Sequence, residues 1–170
     1  YGASFEWFRY RYGKAELIGI LEDEGEKGDV PTMRFPEGRA VYDALSGELL
    51  KTAKARVSLN DAGAGLICVL PYRVSRIVVD MPEMVLGGRR LHFSMQIKTF
   101  DALPGDHLLH VKLIDEAGDS VRYYETTVEC VNGSGEGYIP LAMNETPGRY
   151  TLVIRDVMTG VTTSKRIRIV

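Results

Sequence analysis

Apolar and polar residues alternate most clearly at the end of the chain. Tyr150, Leu152 and Ile154 share one face at a period of two, and so do Val161, Thr163, Lys165, Ile167 and Ile169, with the lysine as the exception. Pro147-Gly148 before the first run and Val157-Met158-Thr159-Gly160 between the two are turn signals. The pattern predicts a hairpin of two strands in which Gly160 supplies a positive φ. A tyrosine just after a Pro-Gly turn, at the start of a late strand, is also where Greek-key sandwiches place a corner tyrosine bonded back to the backbone.

The same period runs through the rest of the chain. Phe5 to Tyr12 predicts an aromatic strand, with Phe8, Tyr10 and Tyr12 on one face and Phe5, Trp7, Arg9 and Arg11 on the other. Gly13-Lys14 breaks it, and Ala15 to Leu21 resumes as an apolar strand, so the two read as a hairpin. Shorter strands are expected near Met33 to Phe35, Arg39 to Asp43 and Glu48 to Thr52. Arg56 to Asn60 and Gly65 to Leu70 are expected to pair across Asp61 to Ala64. No window of helical length in this half shows apolar residues at three- and four-residue spacing without competing β-branched or glycine content.

Pro71 cannot donate to a central ladder, so a strand should stop there. Strands are expected again over Arg73 to Met81, Leu91 to Ile97, His107 to Asp115, Ser120 to Cys130 and Tyr138 to Met143. Asn132 to Gly137 reads as a glycine-rich loop before the last of these. With the closing hairpin this makes about seven strands in about a hundred residues, the spacing of an immunoglobulin-like sandwich. The expectation is an all-β chain of two β-sandwich domains. Residues 1–71 form a small sandwich, and residues 72–170 an immunoglobulin-like Greek key of about seven strands. A unit of about 70 residues builds only a marginal core, so the first half should pack against the second or against an upstream domain.

Composition narrows the function classes. At 45% hydrophobic and 26% charged residues the chain matches an ordinary globular protein. A net charge of -2 creates no field for nucleic acid or an anionic membrane, and no apolar run approaches the roughly 20 residues of a spanning helix. The chain opens Tyr1-Gly2-Ala3, which reads as a piece cut from something longer. Cys68 and Cys130 lie in apolar strand patterns and are expected to be buried free thiols.

Catalytic chemistry finds little purchase. Gly133-Ser134-Gly135 misses the nucleophile-elbow spacing because position 132 is asparagine, and Gly63-Ala64-Gly65 lacks the third glycine of a dinucleotide loop. His92, His107 and His110 read as surface or edge residues; the last two sit three apart in a strand and point to opposite faces. The acidic segment Glu22 to Asp29 matches no calcium-loop pattern and contains Lys27, so it reads as a solvated loop. Lys165, Arg166 and Arg168 read as the guarded solvent face of an edge strand. No catalytic residue, metal or cofactor is expected. The residues best suited to contact a ligand are Trp7, Tyr10, Tyr12 and Tyr72, whose flat rings can stack on sugars or dock on a neighbouring domain.

Three segments of the first half carry a further resemblance: Tyr10 to Leu21, Ala40 to Leu50, and Leu66 to Tyr72 with its closing Leu70-Pro71. Together they resemble the β-sandwich that follows the catalytic barrel in large bacterial glycoside-hydrolase-like proteins. Val111 to Gly118, Ile139 to Gly148 and Asp156 to Val161 resemble the immunoglobulin-like domain that closes the same proteins. That resemblance implies a non-catalytic C-terminal region that packs on and stabilises an upstream catalytic domain of the same chain. It implies a protein that is secreted, periplasmic or at the cell surface. The family's catalytic carboxylates belong to the barrel, and no position here corresponds to them. A carbohydrate-binding module acting on polysaccharide, and a surface adhesion or spacer module that binds protein, are the alternative readings.

Overall fold

A computed structural model describes residues 5–23, 32–50 and 54–170. Strands β1 (Phe5–Tyr12) and β2 (Ala15–Glu22) form the expected hairpin, closed where Tyr12 faces Ala15 across Gly13 at φ 54°. Strand β3 is Thr32–Arg34, β4 Ala40–Asp43, β5 Glu48–Leu50, β6 Lys54–Arg56 and β7 Ala64–Leu70. The main sheet runs β1-β2-β7-β4-β5, and β3 pairs with β6 in a two-stranded sheet. A small core of Ile18, Ile20, Phe35, Val41, Val57, Ile67 and Val69 fills this half.

The expected pairing of Arg56 to Asn60 with Gly65 to Leu70 does not form. β7 is buried along almost its whole length, so it needs a strand on either side; β2 and β4 supply them, with Ile18 facing Ile67 and Tyr42 facing Cys68. Residues 60–64 instead make a local turn. The Asn60 side chain accepts the Ala62 and Ala64 amides at 3.0 Å each, and Asn60 N–H donates to Ala64 O. The acidic segment runs on beyond Asp23 into residues outside those described.

The second half contains β8 (Val74–Asp80), β9 (Met84–Val85), β10 (Arg90–Thr99), β11 (His107–Ile114), β12 (Thr126–Cys130), β13 (Ser134–Pro140), β14 (Gly148–Asp156) and β15 (Thr162–Ile169). They divide into sheets ordered β13-β10-β8 and β12-β11-β14-β15-β9, an immunoglobulin-like division of the strands. Inward residues Leu91, Phe93, Met95 and Ile97 share one core with Leu109, Val111, Leu113, Leu152 and Ile154. The corner tyrosine is present: Tyr150 O–H lies 2.9 Å from Thr146 O and 3.0 Å from the Glu145 carboxylate.

Two boundaries differ from expectation. Asn132 and Gly133 complete a tight turn alone, at φ 49° and 76°, so β13 begins at Ser134 rather than Tyr138. Ser120 to Cys130 is not one strand either. A single 3₁₀ turn over Arg122–Tyr124 buries the Tyr124 ring before β12 starts. The basic strand β15 is not a bare edge, because β9 runs parallel to its end at Arg168 and Ile169.

No described sheet mixes strands from before and after Pro71, yet the larger core does not stop there. Ala15, Tyr42, Ala44, Cys68 and Leu70 belong to the same buried cluster as the inward residues of β10, β11 and β14. The first half therefore buries surface against the second, as its size requires.

Candidate functional site

Three regions carry polar or aromatic chemistry beyond what packing alone asks for: the junction between the halves, the outer strand β1, and a groove between β12 and β13.

The junction is built from two copies of one turn. Asp43-Ala44-Leu45-Ser46-Gly47 follows β4, and Asp156-Val157-Met158-Thr159-Gly160 follows β14. In each, the aspartate side chain accepts the amide two residues on, Leu45 N at 3.0 Å and Met158 N at 3.2 Å. In each, the aspartate carbonyl accepts the glycine amide, at 2.7 Å for Gly47 and 2.9 Å for Gly160. In each, the hydroxyl accepts an amide two residues later, Ser46 from Glu48 and Thr159 from Val161. Both glycines have positive φ, 80° and 71°, which side-chain-bearing residues rarely adopt. The two turns meet glycine to glycine, and a Cβ on Gly160 would lie 2.3 Å from the Gly47 Cα.

Beside the turns runs a buried polar chain. His107 and Asp156 are both 0% exposed, with His107 Nδ1 2.9 Å from Asp156 Oδ2. On its other side His107 Nε2 lies 2.9 Å from the Tyr72 hydroxyl, whose oxygen accepts Gly105 N–H at 2.7 Å. One assignment satisfies every group: Nδ1–H donates to the carboxylate, Tyr72 O–H donates to Nε2, and Thr159 O–H donates to the same carboxylate oxygen. Carboxylate, imidazole and hydroxyl thus stand in the order of a hydrolytic triad. Here the hydroxyl belongs to a buried tyrosine with its donor and acceptor capacity in use, and the chain acts as a polar rivet. Burial first, then the nearby Asp156 charge against a Gly105 hydrogen bond that favours ionisation, pushes the Tyr72 phenol up to about 12.

Further bonds cross the junction. Val74 N–H donates to the Tyr42 hydroxyl at 3.1 Å, and the Lys14 ammonium donates to Leu103 O at 3.1 Å. Cys68 and Cys130 are free and buried; burial, and secondarily Asp156, raises their thiols to about 12 and about 11.

The four rings singled out from sequence separate. Trp7 and Tyr10 are exposed, at 47% and 60%, but stand on opposite faces of β1 and cannot form one platform. Trp7 is braced edge-on by Phe5 at 6.5 Å between ring centroids. Tyr12 is partly covered and donates its hydroxyl to Glu129 Oε1 at 2.5 Å, a further bond between the halves. Burial, then that hydrogen bond, moves the Tyr12 phenol up to about 12. Tyr72, at 2% exposed, offers no ring face to solvent.

His107 also departs from the sequence expectation of a surface residue. Strand alternation places it inward with Leu109, Val111 and Leu113, and its polar partners, Tyr72 after β7 and Asp156 at the end of β14, are distant in sequence. His92 is exposed and His110 partly so, the latter 3.6 Å from Glu125.

The groove between β12 and β13 was not foreseen. It has a volume of about 1110 Å³, with Tyr123, Tyr138, Glu125 and Glu136 among its walls. The Arg90 guanidinium lies over the Tyr138 ring at 4.4 Å, and His92 stands beside that ring at 5.7 Å. At one end Glu145 gathers the Tyr123, Tyr124 and Tyr150 hydroxyls. Burial opposes the Glu145 charge, but these bonds and the Thr146 amide outweigh it and hold the carboxyl below its usual value.

No protein-family model matches this sequence, and no curated protein matches it. Solved structures with some likeness include the Y1175G mutant of Salmonella alpha-2-macroglobulin. It is 11% identical with a TM-score of 0.46, over 99% of this chain and 12% of that one. A Listeria innocua beta-glucosidase is 13% identical with a TM-score of 0.40, over 56% of this chain and 16% of that one. A superoxide reductase from Ignicoccus hospitalis is 9% identical with a TM-score of 0.39, over 57% of this chain and 82% of that one. Glycoside hydrolases are thus among the structural neighbours, but at these scores the likeness carries no argument about function.

Proposed function

We propose that the chain is a non-catalytic accessory body of a larger glycoside-hydrolase-like protein, packing on and stabilising a catalytic domain of the same polypeptide. In this reading residues 1–71 and 72–170 are two sandwich domains locked by the twin turns and the Tyr72–His107–Asp156 chain. The observation that carries the proposal is β1. Among the described residues it is the outermost strand of its sheet, with β2 as its one neighbour. Six of its eight residues are exposed, on both faces of the strand, and among them are Trp7, Phe8 and Tyr10. Aromatic area of this kind, interleaved with Arg9 and Arg11, suits a docking face between domains.

The test is to express the polypeptide encoded ahead of Tyr1 in the same reading frame separately and titrate it with this chain by calorimetry. The expected result is binding that weakens at least tenfold in the Trp7→Ala, Tyr10→Ala double variant. Absence of binding, or hydrolysis of aryl glycosides by the present chain alone, would overturn the proposal.

The second reading is a carbohydrate-binding module, favoured by the exposed, Phe5-braced Trp7 ring. It predicts retardation of the chain in a polysaccharide gel that Trp7→Ala abolishes.

A further inference from the structure

The turn at Asn132-Gly133 has the two positive φ values that normally close a paired hairpin, and Ser134 N–H donates to Val131 O at 3.0 Å. The hairpin does not continue. β12 joins β11 in one sheet and β13 joins β10 in the other, so beyond the Val131–Ser134 bridge the two strands diverge. Near the turn they are pressed together, because a Cβ on Gly135 would lie 2.8 Å from Glu129 O. They are still close at Gly137, where a Cβ would stand 3.0 Å from both the Phe93 ring and Val128, and the groove opens beyond that point along Tyr138, Ile139 and Pro140.

Two features of this groove point to one kind of occupant. First, among the described residues β12 and β13 each have a single strand neighbour, so each presents an edge without a further strand, and the groove lies between those edges. Second, the walls are acidic. Among the described residues Asp80, Glu125, Glu129 and Glu136 line them, against Arg90 as the one Lys or Arg. Among the described residues the Glu136 and Asp80 carboxylates make no hydrogen bond or ion pair, while Glu125 is engaged by Ser120 and His110 and Glu129 by Tyr12. A sugar ring would need a bare aromatic face at the Tyr138 end, and Arg90 and His92 crowd that ring.

We infer that this groove receives an extended basic peptide strand, which adds to the facing edges of β12 and β13. Its backbone meets the edge groups. Alternate side chains then point toward Val128 and to the carboxylates of the walls. The open part of β13, from Gly137 to Pro140, admits about four residues of the peptide at roughly 3.3 Å each. This interaction is separate from the docking of β1, and neither depends on the other.

The test uses fluorescein-labelled octapeptides and fluorescence polarisation on the intact chain. A peptide of alternating valine and lysine should bind and should weaken as salt is raised. Alternating valine and glutamate should bind at least tenfold more weakly. Alternating proline and lysine, which keeps the charge but loses half of the backbone donors, should also lose at least tenfold. Glu136→Lys and Asp80→Asn, both on the surface, should each weaken the valine–lysine peptide several-fold with melting temperatures unchanged. Equal binding of the proline–lysine peptide would reduce the effect to charge alone and overturn the inference. So would absence of valine–lysine binding, or Tyr138-dependent binding of xylohexaose in its place.

Discussion

Gly47 and Gly160 touch backbone to backbone, each the last residue of an Asp-x-x-(Ser/Thr)-Gly turn and each at positive φ. No side chain fits on either, since a Cβ on Gly47 would lie 2.8 Å from the Gly160 Cα. The contact joins the two halves at a point where both turns are held rigid by their own aspartates. Gly160→Ala combines a strained φ with a collision against backbone, and should cost about 2–4 kcal/mol in urea denaturation. A change below about 0.5 kcal/mol would show that the turns are free to part.

The Tyr72–His107–Asp156 chain sets a second expectation. Replacing His107 by alanine takes one of three donors from the buried Asp156 carboxylate, leaves the Tyr72 hydroxyl without its acceptor and opens a cavity, so stability should fall by about 3–5 kcal/mol. Tyr72→Phe keeps the ring and loses only the hydroxyl, leaving Gly105 N–H and His107 Nε2 short of partners; about 1–3 kcal/mol is expected. Equal losses for the two variants, measured by the same denaturation, would argue against a chain centred on the histidine.

At the other end of the second sandwich, Glu145 and its tyrosines give a pH signature. The carboxyl is held below its ordinary 4.5, so its contribution is present above that value and is lost as pH falls through the depressed one. Tyr124 and Tyr150 are raised from 10.0 to about 12, by burial first and then by Glu145, so their contribution is complete below pH 10 and disappears between 10 and 12. Melting temperature should therefore drop at both extremes. Glu145→Gln should flatten the acid limb specifically; an unchanged acid limb in that variant would contradict the assignment. Tyr150→Phe loses the corner bond to Thr146 and should cost about 1–2 kcal/mol.

Cys68 and Cys130 are raised to about 12 and about 11 and sit in the core, so neither should react with iodoacetamide at pH 8 in the folded protein. Both should label once the chain is unfolded in guanidinium. Rapid native labelling of either would mean that its strand opens locally.

Strand existence was largely legible in the sequence, because period-two alternation and turn residues report on local backbone. Tyr150 after Pro147-Gly148 even announced the corner bond. Pairing was less legible. β7 could be recognised as apolar but not assigned to β2 and β4, since which strands flank a buried strand depends on residues far away in sequence. The junction was the least visible. His107 sits one residue out of step with a surface histidine, and only alternation with Leu109 and Val111 hinted that it points inward. The kinship of the two Asp-x-x-(Ser/Thr)-Gly turns is plain in the sequence, but nothing local says that they meet. Tyr72 read as a ligand contact for the same reason: an aromatic ring beside a proline looks alike whether it faces solvent or a buried imidazole.

The junction predicts that the two halves unfold as one cooperative body. This is tested by unfolding the intact chain in urea while following two probes. Trp7 fluorescence reports the first half, and hydrogen exchange of the Leu109 to Leu113 amides reports the second. The junction predicts coincident transitions that separate in His107→Ala, with the Trp7 signal lost first. Two separate transitions in the unaltered protein, unaffected by that substitution, would contradict it.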